Sequence, residues 1–241
     1  KSIEKGLSNE KPSLVIVFGD TNSTLAGSLA SAKLGLKTIH VEAGLRSHNR
    51  LMPEELNRVL ADHASDYLFA PTATALKNLK NEGLSSRSYL TGDIMVDSIF
   101  YAKSIAPSNY KTNRFGTYSL LTLHRPYNVD DHNKLGKILK SVSSINKNII
   151  FPVHPRTKKV IEKNDIRLPS NIKLINPLGY LDFIHLESNS EIIITDSGGI
   201  QKEAYILKKP CITLRPETEW LETVKSGWNK LIDLEKDEKI A

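Results

Sequence analysis

Cysteine is nearly absent: Cys211 stands alone among 241 residues. An intramolecular disulfide is therefore excluded, and a reducing compartment, the cytoplasm, is the expected setting. No apolar run approaches the roughly 20 residues that cross a bilayer, and no secretory leader pattern is visible, so no membrane association is expected. Lys and Arg outnumber Asp and Glu by 33 to 27, but the basic residues are scattered, and only short pairs such as Lys158-Lys159 and Lys208-Lys209 occur. Without a basic stripe interleaved with aromatics, nucleic acid is not an expected partner. The mild excess of positive charge suits either an anionic small molecule or a plain solvated surface. No internal repeat at a fixed period appears. What remains, 39% hydrophobic and 25% charged residues, is the composition of an ordinary globular protein of one or two domains.

The opening KSIEKGLSNEKPS reads as the end of a helix and the approach to a strand. From there strands and helices alternate. Apolar runs at Leu14–Phe18, Thr38–Val41, Tyr67–Phe69 and Tyr89–Thr91 read as strands, separated by helical patterns. One helix is capped by Ser23 or Thr24, with Leu25, Leu29 and Ala32 on one face. Another starts at Pro53, with Leu56, Val59, Leu60 and His63 on one face, which makes His63 a core-edge residue. Glu54 and Glu55 in its first turn suit the helix dipole. Such alternation marks a doubly wound parallel sheet.

Residues 105–116 (IAPSNYKTNRFG) break the pattern, and a linker is placed at 107–116. It separates a first α/β domain, 1–106, from a second, 117–241, in which the alternation resumes. Strands at Ser119–Leu123, Ile149–Val153, Ile172–Ile175, Cys211–Leu214 and Lys230–Ile232 are expected there. A helix from Asp131 carries Leu135, Ile138, Leu139, Val142 and Ile145, and another spans about Tyr180–Leu186. Polar residues recur where strands end: Asp20, Glu42, His124, His154 and Asp196. In open α/β sheets that edge is where ligands bind.

The stretch Ile192–Glu203 (IIITDSGGIQKE) reads as a buried strand, a glycine turn and a helix start. Such a start leaves backbone N–H groups unpaired and carries partial positive charge, a natural seat for phosphate that glycines let an anion approach. It is equally readable as a bare tight turn. Carboxylates in one domain and a phosphate turn in the other, with strand ends facing across a cleft, would suit a nucleotide-linked substrate.

Six segments taken together resemble the non-hydrolysing UDP-N-acetylglucosamine 2-epimerase family: GDTNST from Gly19, HVEAGLRS from His40, MPEELNR from Met52, LHRPYNVDD from Leu123, PVHPRT from Pro152 and TDSGGIQKEA from Thr195. They stand in the family's order over nearly the whole chain. The resemblance implies a glycosyltransferase-B type fold, two Rossmann-like domains facing a cleft, of which this chain would lack some N- and C-terminal elements. It also implies a homodimer and no cofactor, neither nicotinamide nor metal. The implied reaction interconverts UDP-N-acetylglucosamine and UDP-N-acetylmannosamine by eliminating UDP to a 2-acetamidoglucal and adding it back. By motif match the catalytic residues would be Asp20, Glu42, Glu54 and His124, the histidine steadying the leaving diphosphate. Ser197, Gly198 and Gly199 would hold phosphate, Glu203 the ribose hydroxyls, and Phe183 would pack near the uracil. Arg46 and Arg215 read as salt-bridge partners, and His154 as either a structural strand-end residue or a cleft residue.

The chain departs from the family where Tyr127 replaces an acid after the His-Arg-Pro run and where Trp220 stands for an arginine. No Gly-Thr-Arg-Pro-Glu strand is present either. Trp220 suggests a different sugar or different nucleotide contacts, so an epimerase of a modified UDP-sugar, such as a diacetamido uronic acid, stays open. So do a UDP-sugar glycosyltransferase of the same fold and a binding module without turnover.

Overall fold

The computed structural model describes residues 1–105, 112–145 and 148–234. They pack as two compact units, Lys1–Ile94 and Met95–Ala241.

The first unit runs α1 (Ser2–Glu10), β1 (Val15–Phe18), α2 (Asn22–Lys33), β2 (Thr38–Val41), α3 (Pro53–Ala64), β3 (Tyr67–Ala70), α4 (Ala73–Asn81) and β4 (Ser88–Leu90). These strands form one parallel sheet in the order β1-β2-β3-β4. Every parallel step needs a crossover, and the helices supply it. β1 and β2 pair with Phe18 opposite Val41, so Gly19-Asp20 and Glu42 leave adjacent strand ends.

The helices here invert the expected pattern. On α3 the apolar residues Leu56 and Leu60 are exposed, as is His63, while Glu55, Asn57, Arg58, Ala61 and Asp62 are buried. On α2, Leu29 and Ala32 face outward and Thr24, Gly27, Ser28 and Ser31 are buried. The cap of α2 is Thr21, whose side chain accepts from the Thr24 N–H. Small and hydrogen-bonding residues form these buried faces because their polar groups find partners at once. Ser28 and Ser31 donate to the carbonyls of Thr24 and Gly27, and the charges of α3 meet opposite charges. Gly27 lies so close to β1 that an added Cβ would sit 3.0 Å from Val17.

The second unit runs α5 (Ile94–Ile105), β5 (Tyr118–Thr122), α6 (Pro126–Val129), α7 (His132–Ser143), β6 (Asn148–Pro152), α8 (Pro155–Lys163), β7 (Ile172–Ile175), α9 (Tyr180–Asn189), β8 (Ile193–Thr195), α10 (Gly198–Ile206), β9 (Cys211–Thr213), α11 (Leu221–Lys225) and β10 (Asn229–Leu231). These strands pair in parallel throughout, in the order β10-β9-β8-β5-β6-β7. β5 is buried along its whole length, as a central strand covered on both faces must be. On α7 the expected stripe Leu135, Ile138, Leu139 and Val142 is buried. Asp131 caps that helix by accepting from Asn133 and Lys134.

The helix over 94–105, expected with the first domain, packs instead within the second unit. Its Ile99 and Ala102 join Ile184 of α9, with Met95, Ile206 and Leu207 against them. Of the expected linker, 107–111 lies outside the described residues. Thr112–Phe115 form a 3-10 turn, and Phe115 meets Tyr118 edge-on at 5.8 Å.

Candidate active site

In the first unit the strand ends carry a network of charges. Asp20 follows Gly19, which adopts φ +64°. The Asp20 carboxylate pairs with Arg58 at 2.6 Å, and its backbone carbonyl accepts from Asn57 at 2.9 Å. Two consecutive residues of α3 thus clamp the turn that presents Asp20. Arg58 is 3% exposed and Asp20 26%, so the arginine is anchored inside while the carboxylate keeps access to solvent.

Glu42 ends β2 with φ +72°, a conformation that costs a non-glycine residue on the order of 1 kcal/mol. Its N–H donates to Phe69, and its Oε1 would be 3.9 Å from a Cβ built on Gly19. The carboxylate is thereby brought beside the turn that bears Asp20. Behind both lies His40, fully buried, with Nδ1 2.6 Å from Asp62 Oδ1 and Nε2 2.7 Å from the Gly19 carbonyl. Arg46 pairs with Asp62 and, through two nitrogens, with Glu82. It is a salt-bridge residue, as its sequence setting implies.

The adjacent glutamates of α3 differ in kind. Glu55 is buried, and burial alone would raise its pKa. The Ser47 N–H and hydroxyl, the His48 N–H and the Arg58 charge outweigh that and hold it below the ordinary carboxylate value. It pins the loop after β2. Glu54 is half-buried and belongs to the same first helical turn.

In the second unit strand order reverses between β5 and β8. From β5 the chain adds β6 and β7 on one side, then returns to add β8, β9 and β10 on the other. Such a switch point opens a crevice at the carboxyl ends of its two strands. β5 ends at Thr122 and β8 at Thr195, which pair in register and whose hydroxyls are 2.7 Å apart.

Beyond β5 comes His124; beyond β8 come Asp196, Ser197 and α10. Asp196 is fully buried and gathers the N–H groups of His124 and Arg125, the Asn128 amide and the His124 Nδ1 at 3.2 Å. It therefore fixes the histidine loop beside the helix start. Sequence reasoning marked Asp196 only as a strand-end residue, although it stands inside the Thr-Asp-Ser-Gly-Gly run. Ser197 caps α10, its Oγ accepting from Ile200. Gly198 admits no side chain, since a Cβ there would overlap the carboxylate of Glu219, itself paired with buried Arg215 at 3.0 Å. Gly199 is exposed and open. The structure thus brings His124, Ser197, Gly198 and Gly199 to one strand edge.

Glu203 lies further along α10, 7% exposed. Burial pushes its pKa up to about 7, against the Tyr180 hydroxyl, the Lys202 charge and the Glu187 carboxyl, which act to lower it. Phe183 on α9 packs, half-buried, against the core cluster that includes Leu186, Ile193 and Ala204. His154 caps α8, its Nδ1 accepting from Arg156 at 3.2 Å, which gives it a structural task. Trp220 is buried, and the Lys202 ammonium stands 4.1 Å from its ring centre. Its task there is to cover an internal cation. Among the described residues no group of three His, Cys, Asp or Glu is placed to hold a metal, and no helix is long and apolar enough to cross a membrane.

Two all-parallel α/β units, one with carboxylates at its strand ends and the other with a capped glycine helix start at a switch point, define an enzyme of the glycosyltransferase-B structural type. The family model for UDP-N-acetylglucosamine 2-epimerase matches residues 1–241, and the chain belongs to that family of isomerases. A UDP-N-acetylglucosamine 2-epimerase homolog of Methanococcus maripaludis is 53% identical over 247 residues, covering 98% of this chain and 69% of that protein. The Pseudomonas aeruginosa UDP-2,3-diacetamido-2,3-dideoxy-D-glucuronate 2-epimerase is 45% identical, covering 98% and 68%. The crystal structure of Methanocaldococcus jannaschii UDP-GlcNAc 2-epimerase with UDP-GlcNAc and UDP superposes with a TM-score of 0.88 at 47% identity, covering 97% of this chain and 68% of that one.

Proposed function

We propose that the protein interconverts UDP-N-acetylglucosamine and UDP-N-acetylmannosamine. The observation that carries this is the switch point, where His124 and the α10 start leave adjoining strand ends, in a chain of this family. In the proposed reaction a carboxylate removes the C2 proton while the C1–O bond breaks. The electron pair of that bond leaves with UDP, and a C1=C2 double bond forms. Return of a proton to the opposite face of C2 and re-addition of UDP at C1 give the epimer. Asp20, Glu42 and Glu54 supply the proton-transfer groups, whose pKa values a closed site near a diphosphate can push apart.

His124, held by Asp196, steadies the departing diphosphate. The Ser197 hydroxyl and the N–H groups at the α10 start hold phosphate, where the helix dipole favours negative charge. Glu203 accepts the ribose hydroxyls, and Phe183 lies near the uracil. The same proposal includes a homodimer in the cytoplasm that feeds polysaccharide synthesis.

The test is nuclear magnetic resonance of UDP-N-acetylglucosamine with the protein in heavy water. Deuterium at C2 together with the manno product is expected, and absence of exchange would sink the reading. Asp20→Asn, Glu42→Gln and Glu54→Gln should each abolish exchange while sparing UDP binding. A diacetamido uronic acid substrate is the second reading, favoured by the Pseudomonas relative's 45% identity. Faster turnover of that UDP-sugar than of UDP-N-acetylglucosamine would establish it.

A further inference from the structure

The proposed reaction leaves one buried histidine of the first unit without a task. His40 on β2 is 0% exposed, and it is the buried one among the seven histidines. Both of its ring nitrogens face an acceptor: Nε2 lies 2.7 Å from the Gly19 carbonyl oxygen and Nδ1 2.6 Å from Asp62 Oδ1. A backbone carbonyl only accepts, so Nε2 carries a hydrogen and donates it. Asp62, also 0% exposed, accepts at Oδ2 from the Gly44 N–H at 3.1 Å and pairs there with Arg46 at 2.7 Å. Donors gathered on a buried carboxyl favour its ionised form, which accepts and cannot donate. Nδ1 therefore donates as well, and His40 is an imidazolium whose charge Asp62 balances.

The charges around that pair come from several elements and are themselves matched. Arg46, in the loop after β2, holds Glu82 as well as Asp62, and Arg58 on α3 holds Asp20 and Glu55. Glu42 ends the strand that bears His40. The peptide that His40 grips is the one from which Asp20 emerges. Gly19 is tied on both sides: its N–H donates to the Val41 carbonyl at 3.1 Å, and its own carbonyl accepts from His40. Its φ of +64° makes the turn, and Glu42 Oε1 stands beside it. Asn57 and Arg58 then hold the next residue, Asp20, by its carbonyl and its carboxylate. A hydrogen bond from a charged donor is roughly twice as strong as a neutral one, so the cationic ring is the firmer clamp on the turn.

We propose that His40 is a positioning residue, a buried imidazolium whose Nε2–H fixes the Gly19 carbonyl and with it the turn that sets the Asp20 carboxylate beside that of Glu42. This rests on the reading of Asp20 and Glu42 as proton-transfer groups. The ring itself touches no substrate; it acts through the backbone it holds.

The test pairs two substitutions that each keep one of the two hydrogen bonds. In His40→Asn the amide nitrogen can replace Nδ1 and keep the Asp62 contact, but nothing reaches Gly19. In His40→Gln the amide nitrogen can stand where Nε2 stood and still donate to the Gly19 carbonyl. Exchange of the C2 proton of UDP-N-acetylglucosamine in heavy water is measured for both over a range of substrate concentrations. His40→Asn should lower kcat by about a hundred-fold, the scale on which a misplaced reacting group slows a reaction, with KM and UDP affinity unchanged. His40→Gln should recover most of that rate. Equal losses in the two variants, or an undiminished rate in His40→Asn, would overturn the inference while leaving Asp20 and Glu42 in their roles. No exchange in the parent, or exchange untouched in both Asp20→Asn and Glu42→Gln, would overturn those roles and this inference with them. Nitrogen-15 resonance of labelled histidine in the parent gives a check that needs no variant. His40, being buried, should stand out by ring N–H protons slow to exchange with solvent, and both of its nitrogens should carry one between pH 6 and 8. A slowly exchanging ring with a single N–H would refute the proposal.

Discussion

Adjacent glycines at the start of α10 should respond oppositely to one added methyl group. In Gly198→Ala the new Cβ meets the Glu219 carboxylate and lies 3.4 Å from its Cδ. Glu219 has little freedom to retreat, being 7% exposed and bonded to Arg215, itself 2% exposed. Overpacking of this kind costs about 1–3 kcal/mol, and loosening a buried ion pair adds to it. We expect a loss of about 2–4 kcal/mol. In Gly199→Ala the nearest atom is the Ser197 Oγ at 3.9 Å, so the methyl meets no obstacle and helix propensity contributes up to about 1 kcal/mol of stability. Urea unfolding read by tryptophan fluorescence isolates the effect, because both tryptophans, Trp220 and Trp228, lie in the second unit. At a slope of about 1–3 kcal/mol per molar urea, the Gly198→Ala midpoint should fall by roughly 1 M or more while that of Gly199→Ala holds or rises. Midpoints that move together would refute the packing argument. A Gly199→Ala protein that is stable yet binds UDP poorly would separate the proposed anion-seat role of that backbone from its structural one.

Other perturbations follow from the same geometry. Gly44 has φ +82°, and a Cβ there would overlap the Ala75 carbonyl and lie 2.8 Å from Leu79 Cγ, so Gly44→Ala should destabilise the first unit by at least about 2 kcal/mol in circular-dichroism melts. Glu203→Ala should weaken UDP binding by roughly 1–3 kcal/mol in calorimetry, with no change in the first unit's unfolding. The raised carboxyls also set a pH dependence. Between the ordinary carboxylate value of 4.5 and about 7 the folded state keeps a proton on Glu203 that the unfolded chain has lost. Stability of the second unit should therefore fall as pH rises through that window, by an amount on the order of 3 kcal/mol, since each pH unit within it contributes about 1.4 kcal/mol. Calorimetric melts from pH 4.5 to 9 check the sign.

The strand–helix alternation was legible because parallel strands buried on both faces read as short apolar runs, and each strand among the described residues lies within two residues of such a run. Strand-end residues were legible for the same reason: a run that stops at Asp20, Glu42 or His124 announces where the sheet edge is. Helix faces in the first unit were not. The rule that apolar residues point inward fails for α2 and α3, whose buried sides are made of serines, a glycine and the partnered charges Glu55, Arg58 and Asp62. Pairing of that kind joins residues 38 apart, as in Asp20 and Arg58, and spacing within one helix carries no trace of it. The helix at Pro155–Lys163 has a fainter signature in the sequence: His154 as cap, proline in the first turn, and only Thr157 and Ile161, four apart, on its buried side. Domain assignment of α5 likewise needed the contacts of Ile99 with Ile184.

The central place of β5 also governs how the protein must be made. One of its neighbours, β6, follows closely, but the other is β8, so that Thr122 waits for Thr195, 73 residues later in the chain. While the ribosome supplies that interval, one edge of the most buried strand stays open, and an open apolar edge is a template for pairing with other chains. Closure of that edge and assembly of the proposed phosphate seat are a single event, so a nascent chain stalled before β8 would lack that seat and be prone to aggregate.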